Sequence, residues 1–235
     1  MQEPLEFEFQ SNQTFESFFP GNNVEIIQQL QELANHGAEQ QIYIWGESGS
    51  GKSHLLQACC QLAKTLGNDP LYLALNKNNL PNPAMLDGLE ELDLVCLDDV
   101  QHVAENQEWQ QALFNFYNRQ RQNNHHLVLA ADCPPKFLPL ELPDLKTRMS
   151  WGLTLKIQSL RDDQLIAALT YKAHYLGFDI PATVGRFLLN HYVHDLPKLW
   201  LLLEKIDRAT LAAKRKLSIP FLKQILADET HQSKF

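Results

Sequence analysis

Hydrophobic residues up to about position 158 form two kinds of segment. Short apolar runs predict β-strands at 41–45, 71–75, 92–99, 127–132 and 153–157. Between the runs, apolar residues recur every three or four positions, as on one face of a helix; they are Val24, Ile27, Leu30 and Leu33 or Ala34, then Leu55, Leu56, Cys59, Leu62 and Leu66, then Trp109, Ala112, Leu113 and Phe116. A short helix is also predicted at 84–90. Strands that alternate with helices predict an α/β domain with a doubly wound, parallel, five-stranded sheet.

The pattern becomes purely helical from residue 159 onward. Apolar residues at helical spacing predict helices at 162–176, 181–192, 195–213 and 219–227. The sequence therefore predicts a flexible N-terminal tail at 1–12, an α/β base at 13–158, a small all-α lid at 159–228 and a C-terminal tail at 229–235.

Composition and charge narrow the class of protein. The 235 residues carry a net charge of -8, and residues 1–51 contain no Lys or Arg. This distribution argues against a broad DNA-binding face, because phosphate contacts need clustered basic residues. The basic cluster Lys214, Arg215 and Lys216 is interpreted as a solvated helix end rather than a nucleic-acid contact. No long apolar run and no basic leader are found, so we expect a cytoplasmic protein without membrane association.

Candidate chemistry begins with a glycine-rich segment between the first strand and the following helix. Residues 46–53 fit the phosphate-binding pattern G-x-x-x-x-G-K-[ST], whose backbone N–H groups point toward phosphate oxygens. Lys52 is expected to reach the β- and γ-phosphates, and Ser53 to hold Mg²⁺. The predicted nucleotide-binding residues here are Gly46, Ser48, Gly49, Ser50, Gly51, Lys52, Ser53 and His54.

Two later strands end in acidic residues. Asp98 closes an apolar run and is expected to orient water ligands of Mg²⁺, while Asp99 is the candidate for polarising an attacking water. Asp99 is one methylene shorter than glutamate, so slow hydrolysis is expected. Asp132 ends the fourth strand and is expected near the γ-phosphate beside Asp98, or else caps the following turn.

An aromatic segment precedes the first predicted helix. Phe15, Phe18 and Phe19 are followed by the turn residues 20–23. Such a strap either closes over a nucleotide base or packs against the base domain.

Taken in order, these motifs resemble the AAA+ family, and within it the DnaA-like initiator clade. The resemblance covers residues 13–228 and includes the set Leu145-x-x-Arg148-x-x-x-Gly152. Further stretches resemble DnaA-homologous regulators; they are 14–18, 51–56, 114–119, 142–145, 151–152, 185–189 and 207–209. The resemblance implies ADP or ATP with Mg²⁺ as cofactors, and Arg148 as an arginine finger that acts on the nucleotide of a neighbouring subunit. The clade's lid sensor arginine corresponds to His194 here, which is included among the nucleotide-binding candidates.

The resemblance also implies a function. The chain is expected to dock on the ATP-bound initiator DnaA and, together with the DNA-loaded polymerase sliding clamp, to stimulate its ATP hydrolysis and prevent re-initiation. Its own ATPase activity is expected to be weak or absent. No helix-turn-helix follows the lid, so direct sequence-specific DNA binding is not expected. The alternative function is an autonomous AAA+ ATPase that acts as a loader or remodeller, and a small-molecule kinase is disfavoured. The sequence does not decide whether the chain forms a homo-oligomer.

The N-terminal tail resembles a short clamp-binding peptide. Gln2 is its polar position, and Leu5 and Phe7 are its apolar anchors. The alternative is an acidic disordered tail with incidental apolar residues.

Overall fold

The computed structural model describes residues 12–77, 80–192 and 196–232. The chain divides into two compact units, Met1–Ser159 and Leu160–Phe235. The first unit contains strands β1 (Gln41–Trp45), β2 (Pro70–Ala74), β3 (Leu94–Asp98), β4 (His126–Ala131) and β5 (Leu153–Lys156), with helices α1 (Val24–Ala34), α2 (Lys52–Thr65), α3 (Gln107–Gln122) and α4 (Pro143–Met149). The second unit contains α5 (Asp162–Leu176), α6 (Ala182–Tyr192), α7 (Leu196–Ala213) and α8 (Ile219–Gln232).

The five strands of the first unit form one parallel sheet. Their order is β2-β3-β4-β1-β5, and each neighbouring pair is parallel. β3 and β4 are buried at every position because helices cover both faces of the sheet. The predicted doubly wound, parallel, five-stranded fold is therefore confirmed. All strand carboxyl ends lie at one edge of such a sheet, which brings the residues after β1, β3 and β4 together.

Two hydrophobic cores hold the helices to the sheet. On one face, Trp109 and Phe116 of α3 pack against residues that include Tyr43 of β1. On the other face, Leu30 of α1 and Leu55 of α2 pack in one core. These cores fix α2 directly behind the loop that follows β1.

Several sequence predictions about local structure are wrong. Leu66 lies beyond the end of α2 at Thr65 and is 47% exposed, and α8 extends to Gln232, into the predicted tail. Val24 is 49% exposed, and the buried face of α1 instead begins at Ile26 and continues through Leu30, Leu33 and Ala34. The helix predicted at 84–90 is replaced by two 3₁₀ turns, Pro83–Leu86 and Leu89–Glu91. Gly88 lies between them with a φ of 91°, a left-handed conformation that interrupts a right-handed helix.

The second unit is a helical domain with its own core. Leu169 of α5, Leu188 of α6, Leu203 of α7 and Leu222 of α8 are all buried together. Within the described ranges of the whole chain, none of the helices has the length and apolar character required to span a membrane.

Candidate functional site

The glycine-rich segment forms a tight loop between β1 and α2. Gly49 and Gly51 have φ values of 76° and 99°, a left-handed region in which other residues are strained. A Cβ atom on Gly46 would lie 2.2 Å from Cγ2 of Ile157 and 2.9 Å from its carbonyl oxygen. The loop therefore has a backbone path that only glycine permits, and Lys52 and Ser53 follow it in the first turn of α2.

Lys52 lies folded into this loop. Its side chain is 7% exposed, and Nζ donates hydrogen bonds of 2.8 Å to the carbonyl oxygen of Gly46 and 2.9 Å to that of Glu47. Within the part of the chain that the structure describes, no carboxylate pairs with this ammonium. The hydroxyl of Ser50 is buried and has no hydrogen-bond partner among the described residues. A buried cation, an unpartnered hydroxyl and a helix N-terminus form a donor set that suits a phosphate group.

A second group of polar side chains surrounds Asp98 at the end of β3. Asp98 is 1% exposed; its Oδ2 accepts a 2.9 Å bond from the Tyr72 hydroxyl and its Oδ1 a 2.9 Å bond from the Asp99 N–H. Ser53 also forms a side-chain hydrogen bond with Asp98. Burial raises the pKa of the Asp98 carboxyl, and the Asp99 charge adds to the increase, while the hydrogen bonds from Ser53, Tyr72 and Asp99 oppose it. A serine hydroxyl beside a carboxylate is a donor set that suits Mg²⁺.

Asp99 follows in a left-handed conformation with a φ of 57°. Its Oδ1 accepts a 2.9 Å hydrogen bond from the side-chain amide of Gln101. The carboxylate proposed to polarise water is therefore already held by a neighbouring side chain. Asp132 is exposed directly after β4, the strand that separates β3 from β1.

The aromatic strap packs on the glycine-rich loop. A Cβ atom on Gly51 would lie 2.5 Å from Cε2 of Phe18, and the Phe18 and His54 ring centroids are 5.3 Å apart. The His54 Nε2 lies 2.8 Å from the Thr14 carbonyl oxygen and 3.1 Å from the Ser17 hydroxyl. Because a carbonyl can only accept, Nε2 of His54 carries a proton and ties the strap to α2.

Arg148 lies in a separate cluster on α3 and α4. Its guanidinium carbon is 3.9 Å from the Phe114 ring centroid and 5.6 Å from that of Trp151, and Nη1 donates to Oδ1 of Asn118. Among the described residues, no carboxylate forms an ion pair with Arg148. Stacking on the rings and the bond to Asn118 restrict the rotamers of Arg148, which is partly exposed.

The loop after Arg148 is fixed to the amino end of β1. Nε2 of Gln41 donates 3.0 Å hydrogen bonds to the carbonyl oxygens of Arg148 and Trp151. Gly152 has a φ of 68°, and a Cβ atom there would lie 2.1 Å from the Gln41 carbonyl oxygen. Gln41 and Trp45 are the first and last residues of β1, roughly 13 Å apart along the strand, and the glycine-rich loop follows Trp45. The Arg148 carbonyl is therefore tied to the end of β1 opposite that loop.

Two residues that contact predicted site residues were not found from the sequence. Tyr72 pairs with Cys96 in the register of β2 and β3, and Asp98 lies two residues further along on the same face, but only the pairing of the two strands reveals this. Gln41 is a polar residue at the start of a buried strand, which is a weak signal. The predicted residues His194, Gln2, Leu5 and Phe7 lie outside the described residues.

Two protein-family models and several solved structures match this chain. The model of the bacterial DnaA ATPase domain matches residues 9–156, and the model of the Hda lid domain matches residues 162–226. Domain III of the Thermotoga maritima replication initiation protein DnaA is 22% identical with a TM-score of 0.76, covering 94% of this chain and 98% of that one. AMPPCP-bound DnaA from Aquifex aeolicus is 23% identical with a TM-score of 0.70, covering 94% and 71% respectively. The Thermotoga maritima RuvB Holliday junction branch migration motor is 12% identical with a TM-score of 0.61, covering 87% and 68%. These structural likenesses establish the AAA+ fold.

Proposed function

The chain belongs to the bacterial DnaA ATPase family and carries an Hda-type lid domain, and we propose that it regulates replication initiation by stimulating ATP hydrolysis on the initiator DnaA. The observation that carries this proposal is the position of Arg148. Its backbone is tied to the amino end of β1, whereas the chain's own glycine-rich loop follows the carboxyl end. An arginine in this place serves a neighbouring subunit's nucleotide more readily than its own.

The chemistry required of Arg148 is charge stabilisation. Negative charge on the γ-phosphate oxygens of ATP must be balanced in the transition state, and a planar guanidinium donates two parallel hydrogen bonds to such oxygens. Phe114 and Asn118 hold the guanidinium in one orientation before the partner arrives. Preorganisation of this kind lowers the entropic cost of forming the catalytic arrangement.

The chain's own nucleotide is proposed to be ADP or ATP with Mg²⁺. Residues 46–51 would surround the phosphates, Lys52 would exchange its two carbonyl partners for phosphate oxygens, and Ser53 with Asp98 would hold the cation. Magnesium, when bound, neutralises phosphate charge. The AMPPCP bound to the related DnaA supports a nucleotide at this site.

Slow hydrolysis by the chain itself is part of the proposal. Asp99 has a short side chain, and its carboxylate is engaged by Gln101 at 2.9 Å. A base in this state is poorly placed to activate water. The bound nucleotide would then act as a structural ligand that stabilises the base domain.

The proposed partners are the initiator DnaA and the sliding clamp, the second on the resemblance of the N-terminal tail alone. DnaA supplies the nucleotide on which Arg148 acts, and the sliding clamp is proposed to bind the tail that contains Gln2, Leu5 and Phe7. Tethering to a clamp on DNA would raise the local concentration of the chain beside the initiator. The outcome would be conversion of ATP-bound DnaA to its ADP form, which limits re-initiation.

The test is ADP formation in a reconstituted mixture of ATP-bound DnaA, DNA-loaded clamp and this protein. We expect faster hydrolysis than in mixtures lacking either the protein or the clamp. No acceleration would overturn the proposal. The alternative, an autonomous AAA+ ATPase, is favoured by the adjacent acids Asp98 and Asp99; fast steady-state turnover by the protein alone would support it.

A further inference from the structure

The hydroxyl of Tyr72 lies between the two groups that the proposed function assigns to Mg²⁺. It donates a 2.9 Å hydrogen bond to Oδ2 of Asp98 on β3. Tyr72 also forms side-chain hydrogen bonds with Ser53 and Gln57, which are four residues apart on the same face of α2. One phenol therefore joins β2, β3 and the helix that begins at the glycine-rich loop.

The surroundings of this phenol are mostly apolar. Its ring packs against the hydrophobic core beneath α1 and α2. A phenol keeps its proton at neutral pH, so the Tyr72 hydroxyl is the donor in its 2.9 Å bond to the Asp98 carboxylate. A phenylalanine would fill the same space, so packing alone does not account for the oxygen.

We propose that Tyr72 is a positioning residue for magnesium, whose hydroxyl orients the Asp98 carboxylate and the Ser53 hydroxyl toward the cation. This inference rests on the nucleotide site of the proposed function and extends it to a residue of β2. The Asp99 N–H holds Oδ1 of Asp98 and the Tyr72 hydroxyl holds Oδ2, while the Ser53 hydroxyl, itself a candidate magnesium ligand, also bonds the carboxylate. With both oxygens held, the remaining lone pairs point in set directions toward water ligands of the cation.

Removing the hydroxyl has a specific consequence. Asp98 is almost fully buried, so its Oδ2 would lose a donor that bulk water cannot easily replace. The carboxylate would then rotate more freely about its last torsion angle. Residues that orient metal ligands typically contribute about 10–100-fold to metal affinity, and we expect the lower end because Asp98 would hold Mg²⁺ through water.

The experiment compares wild type, Tyr72→Phe and the matched control Tyr43→Phe. Tyr43 is also a buried sheet tyrosine, but its hydroxyl donates to the Cys133 carbonyl oxygen at 2.9 Å. Binding of a fluorescent ADP analogue is titrated with Mg²⁺ from an EDTA baseline, and melting temperatures are measured in EDTA. Each variant deletes one oxygen and keeps the ring, so both are expected to fold.

We expect Tyr72→Phe to raise the Mg²⁺ concentration at half-maximal tightening of ADP binding about tenfold, with little change in the EDTA affinity. Tyr43→Phe should leave the Mg²⁺ midpoint at the wild-type value. If Tyr72→Phe lowers the melting temperature but keeps the wild-type midpoint, its role is structural and the inference is overturned. If Mg²⁺ does not tighten ADP binding in wild type, the chain has no magnesium site and the role of Tyr72 is overturned; if wild type binds no ADP at all, the nucleotide site of the proposed function fails instead.

Discussion

The hydrogen bonds of Gln41 provide a sharp test of how the Arg148 loop is held. Gln41 is 8% exposed, and its Nε2 points at the carbonyl oxygens of Arg148 and Trp151, both 3.0 Å away. The change Gln41→Glu is nearly isosteric but replaces this donor with a carboxylate oxygen that faces other oxygens. The change Gln41→Ala removes the donor without adding a charge.

The magnitudes of the two changes can be estimated separately. Two lost amide hydrogen bonds cost about 1 kcal/mol each, so Gln41→Ala should lose about 2 kcal/mol at any pH. The introduced carboxyl group avoids repulsion from the two carbonyl oxygens by staying protonated. Raising its pKa from about 4.3 to above 7 lowers the free energy of unfolding by up to roughly 4 kcal/mol at pH 7. The loss of one of the two hydrogen bonds adds to this cost, so Gln41→Glu should lower the free energy of unfolding by about 3–5 kcal/mol at pH 7. At roughly 2–4 °C per kcal/mol, this corresponds to a decrease in melting temperature of about 10 °C.

The pH dependence distinguishes this explanation from a general packing defect. The introduced carboxyl has a folded-state pKa above its unfolded value, so its penalty is fully present above that raised pKa and disappears as pH falls toward about 4.3. Free energies of unfolding in urea at pH 7.5 and pH 5 measure it. The deficit of Gln41→Glu relative to wild type should shrink at pH 5, while that of Gln41→Ala should stay constant. Equal and pH-independent losses for both variants would refute the reasoning.

Two further predictions concern ligand binding and pH. Lys52→Ala should weaken the chain's own ADP binding and abolish the rise in melting temperature that excess ADP gives wild type. The reason is that a ligand stabilises the folded state more as its concentration exceeds the Kd. Equal thermal shifts in both proteins would contradict this prediction. Burial lowers the pKa of His126, with smaller contributions from the charges of His36 and His125. Because its folded pKa lies below the unfolded value of about 6.5, His126 contributes stability that is present above pH 6.5 and lost as pH falls. Between pH 7.5 and 5.5, the free energy of unfolding in urea should fall less for His126→Gln than for wild type. Equal decreases in the two proteins would contradict this role of His126.

The α/β fold was predictable because its signals are local. Each strand is a short apolar run, and the glycine-rich loop between β1 and α2 is a contiguous motif. The buried face of α1 was harder to predict, because Val24 and Ile26 are both apolar and only packing against the sheet decides which side chain is buried. The helix predicted at 84–90 failed because Gly88 adopts a left-handed conformation that periodicity does not reveal.

The candidate site was predictable where its residues belong to one motif and not where it is assembled from distant strands. Lys52, Ser53 and Asp98 each follow from their own segment. Tyr72 becomes visible only when β2 is known to lie beside β3, because pairing in the sheet brings its hydroxyl to Asp98. Gln41 likewise contacts a loop more than a hundred residues away in sequence.

The central claim is that Arg148 acts on the nucleotide of DnaA and not on the chain's own. Single-turnover hydrolysis of ATP preloaded on DnaA, with DNA-loaded clamp present, measures it for wild type, Arg148→Ala and the control Arg121→Ala. Arg121 is an exposed arginine on α3 whose guanidinium packs 4.3 Å from the Trp151 ring centroid, so it matches Arg148 in charge and location. We expect Arg148→Ala to lose stimulation on the order of a thousandfold while its own ADP affinity stays near the wild-type value, and Arg121→Ala to retain most stimulation. Full stimulation by Arg148→Ala, or loss of its own ADP binding, would contradict an arginine finger that acts in trans.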